Sequence, residues 1–206
     1  MTAGRAGNVR RLASAALLAL LTGCVTAPVQ LGRADLANRQ SAVRASDPNA
    51  PRVWVGKVED GRSDATLGGL AGRSFSSAEL PAWIDGELAA LASPGFVVVT
   101  GPVADPAARL VLRPRLLKGY VDGLTVTKTA VIVLGVEIVA PGGTVTARLY
   151  RGQHASMNWA TSESEVIGAL QDAAGACLEQ LRVDLEGQLH PGQPPARAAP
   201  TNADDT

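Results

Sequence analysis

The sequence predicts an α+β domain, a two-layer sandwich in which a mainly antiparallel sheet packs against two amphipathic helices. Three observations lead to this prediction: long segments alternate between apolar and polar residues, two others repeat apolar residues every three to four positions, and the order is β-α-β-β-β-β-α. With 206 residues, 46% of them hydrophobic, the chain is apolar enough to bury a core and long enough for one domain.

Composition argues against several classes of function. The chain has 19 basic and 19 acidic residues, which does not favour nucleic-acid binding through bulk charge. Aromatic residues make up only 3%, too few for a surface that stacks bases or sugars. The two cysteines cannot form a disulfide framework. We therefore expect no nucleic-acid partner.

The first half of the domain is predicted to contain one strand and one helix. Residues 53–58 alternate as a strand, and residues 59–76, rich in Gly and Ser, are expected to form a loop. Ser77 is predicted to cap a helix over residues 78–92, which Ser93-Pro94-Gly95 ends.

The second half is predicted to contain four strands and a closing helix. A short buried strand over 96–100 precedes a strand over 109–117, which Pro114 should place at a sheet edge or a bulge. Residues 125–139 and 144–149 alternate on either side of a turn at 141–143 and should form a hairpin. The predicted inward residues of that hairpin are Val126, Ala130, Ile132, Leu134, Val136 and Ile138 on the first strand, with Val145, Ala147 and Leu149 as the apolar side of the second. A capping box at Ser162 and Glu165 begins the last helix, whose apolar residues recur as far as Leu189.

The N-terminus, residues 1–23, is predicted to be a lipoprotein signal peptide. It contains three arginines, no acidic residue and an apolar stretch over 12–21, which is too short to span about 30 Å of hydrocarbon as a helix. The stretch ends in Leu21-Thr22-Gly23-Cys24, the L-x-G-C pattern of a bacterial lipobox. Cys24 is therefore the predicted lipidation site, and the alternative is an ordinary signal peptide with a chance cysteine. Two or three acyl chains would hold the protein to a bilayer. An Asp directly after the lipidated cysteine would favour the inner membrane; this chain has Val25 there, which favours the outer membrane.

The domain is expected to lie between two polar segments. Residues 24–51 lack periodicity and are predicted to be the lipidated N-terminus and a flexible tether. Residues 52–190 form the predicted periplasmic α+β domain, and residues 191–206, rich in Pro and Ala, form a predicted disordered tail.

No pattern typical of a catalytic, cofactor or metal site is found. His154 and His190 lack neighbouring ligands, and Cys177 falls in the apolar stripe of the last helix, where it is expected to be a small core residue. The glycine-rich segment 68–74 lacks the Gly-Lys-Ser/Thr ending of a phosphate loop and is expected to be flexible. No G-x-S-x-G motif occurs. We therefore expect no enzyme, cofactor or metal. A catalytic pair of carboxylates from distant parts of the sequence stays an open alternative, because such residues come together only in the folded chain.

Two polar features are candidates for binding. Residues 59–64 form a charged turn, interpreted either as ordinary turn chemistry or as a contact for a partner. Arg109, Arg113 and Arg115 share one face of their strand, which is either a solvated sheet face or a site for an acidic partner or lipid headgroups.

The lipobox, the sequence V-W-V-G-K-V-E-D-G-R over 53–62, the glycine-containing loop before a helix, and Pro94-Gly95-Phe96 entering a strand resemble the YajG-like family of bacterial envelope lipoproteins. The resemblance covers residues 24–189 and implies no catalytic residue. The resulting expectation is a non-enzymatic outer-membrane lipoprotein that binds another envelope component. The alternatives are an auxiliary lipoprotein of a transport or secretion assembly, in which the domain oligomerises or docks on a channel, and an envelope hydrolase with a dispersed site.

Overall fold

The computed structural model describes residues 26–31, 49–70, 72–91, 93–123, 126–157 and 162–191. Within these ranges nine strands form one mixed sheet with two helices, which confirms the α+β prediction. The elements are β1 (Thr26–Pro28), β2 (Arg52–Val55), β3 (Glu59–Asp60), β4 (Thr66–Leu70), β5 (Arg73–Ser76), α1 (Leu80–Ala89), β6 (Val97–Thr100), β7 (Leu110–Gly123), β8 (Thr127–Val139), β9 (Val145–Met157) and α2 (Glu163–Leu189). The predicted signal peptide, Cys24 and the predicted tail from residue 192 onward lie outside the described residues.

The long strand β7 organises the sheet. Along one edge it pairs in parallel with β2, β3 and β4 in turn, and along the other it pairs antiparallel with β8. β8 pairs antiparallel with β9, so the two longest ladders are antiparallel, as predicted. The first half of the chain therefore supplies short strands to one edge of β7, and the second half supplies a three-strand meander.

The helices cover one face of this sheet. The ladder brings Ala130, Ile132, Leu134 and Ile138 of β8 to that face, where all four are buried in the core that the helices share. Ser162 caps α2 by accepting a hydrogen bond from the Glu165 backbone nitrogen, as its sequence predicts. None of the helices in the described ranges combines the length and apolarity that crossing a membrane requires.

The inward face of β8 begins differently from the prediction. Val126 lies before the strand and is 70% exposed, whereas Lys128, at an inward position, is buried. The ammonium of Lys128 lies 3.0 Å from a carboxylate oxygen of Glu165, so an ion pair with the first turn of α2 occupies the place expected for an apolar contact.

The glycine-rich segment predicted as a loop contains β3, β4 and β5. Leu67, Leu70 and Phe75 of this segment are buried. Gly68 has a φ of +87°, and a Cβ there would lie 2.4 Å from the Val121 carbonyl oxygen of β7. The glycines that indicate a loop in the sequence are therefore needed for close approach of two backbones.

The first helix is shorter than predicted, because Ser77 does not cap it. Ser77 is buried, the N-cap is Glu79, and no side chain caps this end. The following strand, β6, is half-buried along its three valines rather than fully buried.

Pro114 lies in a strand that is paired on both sides, not at the sheet edge. The carbonyl oxygens of Leu112 and Leu116 accept hydrogen bonds from the backbone nitrogens of Gly56 and Gly61, on the side of β2 and β3. The nitrogen of Pro114 faces the same side and falls between the ends of β2 and β3, where no donor is needed. The ladder with β8 has its irregularity between Leu116 and Lys118.

Part of the predicted tether belongs to the folded domain. β1 pairs in parallel with β5, and the backbone nitrogen of Val29 donates to the Ser76 carbonyl oxygen at 2.8 Å. Val29 and Leu31 are 3% and 5% exposed. The sequence lacks periodicity here because the segment adds only a short edge strand.

Candidate functional site

The face of the sheet turned away from the helices carries a shallow groove across β7, β8 and β9. Register places Arg113, Glu137 and Ala147 in one row, and Arg115, Gly135 and Leu149 in the next. The groove has a volume of about 560 Å³. Its lining residues are Lys57, Glu59, Arg113, Pro114, Arg115, Leu117, Gly135, Val136, Glu137, Ala147, Arg148 and Leu149.

Two leucines and a glycine form the apolar floor of the groove. A Cβ at Gly135 would lie 3.2 Å from Leu117 Cδ1 and 3.8 Å from Leu149 Cδ2, so the two leucines flank the glycine. Leu149 is 72% exposed, which leaves a large apolar side chain in water. Sequence alternation predicted Leu149 on the apolar side of β9, but Tyr150 and Gly152 face the helices instead. The pairing of Leu134 with Tyr150 fixes this choice, because a one-residue shift would exchange the faces.

Ion pairs form the rim of the groove. Arg113 lies 3.7 Å from Glu137, and Arg115 lies 3.6 Å from Glu59. All four side chains are more than half exposed, so each pair stabilises the fold by at most about 1 kcal/mol. These charges can therefore exchange partners at little cost.

The predicted row of three arginines is divided in the structure. Arg113 and Arg115 lie on the rim, each paired with a carboxylate of its own domain. Arg109 precedes β7 and does not line the groove; its backbone nitrogen donates to the Arg52 carbonyl oxygen at 2.7 Å. The face is therefore a mixed, charge-paired surface rather than a basic stripe.

The charged turn after the first strand is mainly structural. The Arg62 guanidinium donates to both carboxylate oxygens of Asp60 at 2.9 Å and to the Ser77 carbonyl oxygen at 3.1 Å. Its side chain is only 5% exposed, and its hydrogen bonds hold the pKa of Asp60 below the ordinary value. Within the turn over residues 59–64, Glu59 contributes to the lining of the groove across β7, β8 and β9.

A smaller cleft of about 350 Å³ lies beside α1, at the carboxyl ends of the parallel strands β2 and β6. Asp85 lines it and accepts a hydrogen bond from the Val58 backbone nitrogen at 2.6 Å. Burial raises the pKa of the Asp85 carboxyl above its ordinary value. Because Asp85 is the only acidic residue among those lining this cleft, the cleft does not supply the carboxylate pair that a dispersed hydrolase site would need.

The remaining residues singled out in the sequence do not assemble into a site. The imidazole of His154 lies 3.4 Å from Asp172, and that of His190 lies 3.1 Å from the Gly95 carbonyl oxygen. Burial raises the pKa of the Cys177 thiol to about 11, so it stays protonated in the core at neutral pH. Across the described ranges, no group of three or more His, Cys, Asp or Glu could hold a metal ion.

A buried polar cluster ties the segment after α1 to α2. The Ser93 hydroxyl donates to Glu186, and Arg182 Nη1 donates to the same carboxylate oxygen at 2.5 Å. Glu186 is only 8% exposed. The i,i+4 spacing of Arg182 and Glu186 is readable in the sequence, but the contact with Ser93 is not, because 93 residues separate it from Glu186.

No family model matches the chain, and no curated protein sequence matches it. Similar solved structures include protein XCC0632 from Xanthomonas campestris, of family DUF330, with 14% identity and a TM-score of 0.46 over 80% of this chain and 93% of that one. Lipoprotein GNA1162 from Neisseria meningitidis is 12% identical, with a TM-score of 0.36 over 64% of this chain and 97% of that one. A protein of Caulobacter crescentus assigned as a lipoprotein is 15% identical, with a TM-score of 0.33 over 77% and 98%. Two of the three are thus described as lipoproteins; at these identities none assigns a function to this chain.

Proposed function

We propose that this protein is a non-enzymatic bacterial lipoprotein, anchored through Cys24, whose periplasmic domain binds another envelope protein through the open face of β7–β9. The lipobox after a short apolar stretch supports the anchor. The groove with Leu149 exposed on its floor carries the binding proposal.

The chemistry of the groove favours a protein as its partner. An exposed apolar strip rimmed by polar groups is typical of protein–protein contacts. Leu117 and Leu149 offer apolar area, and the pairs of Arg113 with Glu137 and Arg115 with Glu59 offer both signs of charge. A lipid headgroup or nucleic acid would instead favour an unpaired basic patch.

We also propose the outer membrane as the location, because Val25 follows the cysteine. Membership of the YajG-like family is proposed on the same motifs that carry the resemblance. A role as an auxiliary lipoprotein in a transport or secretion assembly is the second candidate. The edge of β9 at the border of the groove, which no described strand pairs, favours it, because an unpaired strand edge is suited to assembly.

A photo-crosslinking residue placed at Glu137 tests the binding surface in the native envelope. Glu137 lies in the groove on the inner strand β8, and its side chain is 54% exposed. The matched control is Val183, 39% exposed on α2 in the helix layer. We expect a discrete adduct with another envelope protein from position 137 and none from position 183. Equal adducts from both positions, or none from position 137, would contradict the proposed surface.

A further inference from the structure

Over residues 145–149, the outer edge of β9 has no strand partner among the described residues. In an antiparallel strand, the N–H and C=O groups of one residue point to the same side, and the side alternates along the chain. The Arg151 backbone nitrogen donates to Gln180 Oε1 of α2 at 3.4 Å, and the Arg151 carbonyl oxygen accepts from Gln180 Nε2 at 2.9 Å. Both backbone groups of Arg151 therefore point away from β8. Val145, Ala147 and Leu149 have the same parity, so their backbone groups point outward as well. In the part of the chain that the structure describes, no strand lies along this edge.

Over residues 145–149, this edge lacks the usual protection against pairing. In natural proteins, proline, inward-pointing charges, lysine or a covering element prevents an edge strand from pairing with another chain. Residues 145–149 contain neither proline nor lysine, and Val145 and Leu149 are 56% and 72% exposed. The one charged residue, Arg148, lies 3.3 Å from Asp184 of α2, on the other face of the strand from Leu149. Such an edge is suited to accept another strand.

We propose that the occupant is a second copy of this chain, paired antiparallel along β9 with the two-fold axis at Ala147. This register places Val145 opposite Leu149 of the second copy, and Ala147 opposite Ala147. Each exposed apolar side chain then gains an apolar cross-strand neighbour, and the small alanines meet at the axis. A strand that complements itself in this way fits an isologous interface between identical chains.

The charges around the edge are compatible with this pairing. Arg148 pairs with Asp184 within one copy, so it enters the interface already paired. The same register sets Arg148 opposite Thr146 of the second copy, so no like charges face each other directly. The two grooves would then lie side by side on one continuous sheet face. This inference goes beyond the proposed function and does not depend on it, because Glu137 stays on the open face whether or not the edges pair.

Cysteine substitutions in the full-length lipoprotein, oxidised in the native envelope, test both the partner and the register. Ala147→Cys should give a disulfide-linked homodimer, because directly opposed Cα atoms are about 5.5 Å apart, within the range that disulfides span. Val145→Cys alone should not cross-link, because its nearest cysteine would be four residues away along the strands. Copies carrying Val145→Cys should cross-link to copies carrying Leu149→Cys. The wild-type chain, with Cys177 buried and Cys24 at the predicted lipidation site, measures the background.

Light scattering of the detergent-solubilised lipoprotein gives a second measurement. We expect the wild-type mass of a dimer, or of a multiple of one. Ala147→Lys, which places two ammonium groups at the axis, should reduce the dimer at least tenfold. Val103→Lys, at a loop position that is 79% exposed, should leave it unchanged. A monomeric wild type without a disulfide from Ala147→Cys would overturn the proposal. A disulfide from Val145→Cys alone would overturn the register, and capture of a different protein at position 147 would overturn the second copy as the occupant.

Discussion

Gly152 of β9 lies directly beneath the carbonyl oxygen of Ala173 in α2. A Cβ on Gly152 would lie 1.8 Å from that oxygen and 2.5 Å from the Cys177 backbone nitrogen. The backbone of α2 therefore rests on the backbone of β9, which fixes the helix over the inward face of the strand. The outward face of β9, with Leu149, is left open by the same packing.

We expect Gly152→Ala to destabilise the domain by about 3 kcal/mol or more, because α2 must shift to admit the methyl group. The matched control is Gly175→Ala in the same helix, where a Cβ would meet nothing within 4 Å. Because Gly is about 0.8–1 kcal/mol worse than Ala inside a helix, this control should be neutral or stabilising. Urea unfolding of both variants measures the contrast, and a neutral Gly152→Ala would contradict the packing described.

The inward face of β8 should carry a large share of the stability. Leu134 is 0% exposed, whereas Thr127 at the start of the strand is exposed. We expect Leu134→Ala to cost about 2–5 kcal/mol and Thr127→Ala less than about 1 kcal/mol. Denaturant melts measure both. Equal losses would show that both faces are covered, and a reversed order would show that the strand faces the other way.

The segment before residue 32 should contribute to folding. Val29 and Leu31 are buried beside β5, so a chain that begins at residue 49 should be less stable than one that begins at residue 25, by about 3–6 kcal/mol for the two side chains. Removing residues 192–206, which lie within the predicted disordered tail over 191–206, should change the free energy of unfolding by less than about 0.5 kcal/mol. Thermal melts of the two truncations compare them, and an unchanged melting temperature on removing residues 25–48 would exclude β1 from the fold.

The Asp60–Arg62 pair should contribute to acid sensitivity. The Arg62 hydrogen bonds lower the pKa of Asp60, so the carboxylate stabilises the fold above its unfolded pKa of about 3.9. That contribution is lost as the pH falls through the lower folded value. Because the Asp60 side chain is 40% exposed, the loss should be less than about 1 kcal/mol. Asp60→Asn should be slightly less stable at pH 7 and should lose less stability between about pH 4 and pH 2; the same acid dependence in both proteins would contradict the pair's role.

The sequence predicts the presence of the strongly periodic elements, although β7 and β9 run to Gly123 and Met157, beyond the predicted ends at residues 117 and 149. It predicts the short, glycine-rich strands poorly. β7, β8 and α2 follow their apolar periodicity because each buries one continuous face. β4 and β5 were missed because Gly68 and Gly69 show no alternation, although close approach to neighbouring backbones requires them. β1 was missed because three residues are too few to show a period.

The open face was only partly predictable. Arg113 and Arg115 on one face of β7 are readable from alternation, but their ion pairs join strands that are distant in sequence. The sequence also shows Leu149 alternating with polar residues, and alternation alone does not say which side is buried. The side is fixed by Gly152, which has no side chain and so lets the backbone of α2 pack against β9. This role becomes visible only when the position of α2 is known.

Metabolic labelling with a fatty-acid analogue tests directly whether lipid anchors this protein to the envelope. The wild-type chain and Cys24→Ser are compared in the same cells, and the membrane fraction is separated from the soluble fraction. We expect label on the wild-type chain in the membrane fraction, and an unlabelled, uncleaved or soluble precursor from Cys24→Ser. Label retained by Cys24→Ser, or an unlabelled wild-type chain, would contradict the lipid anchor.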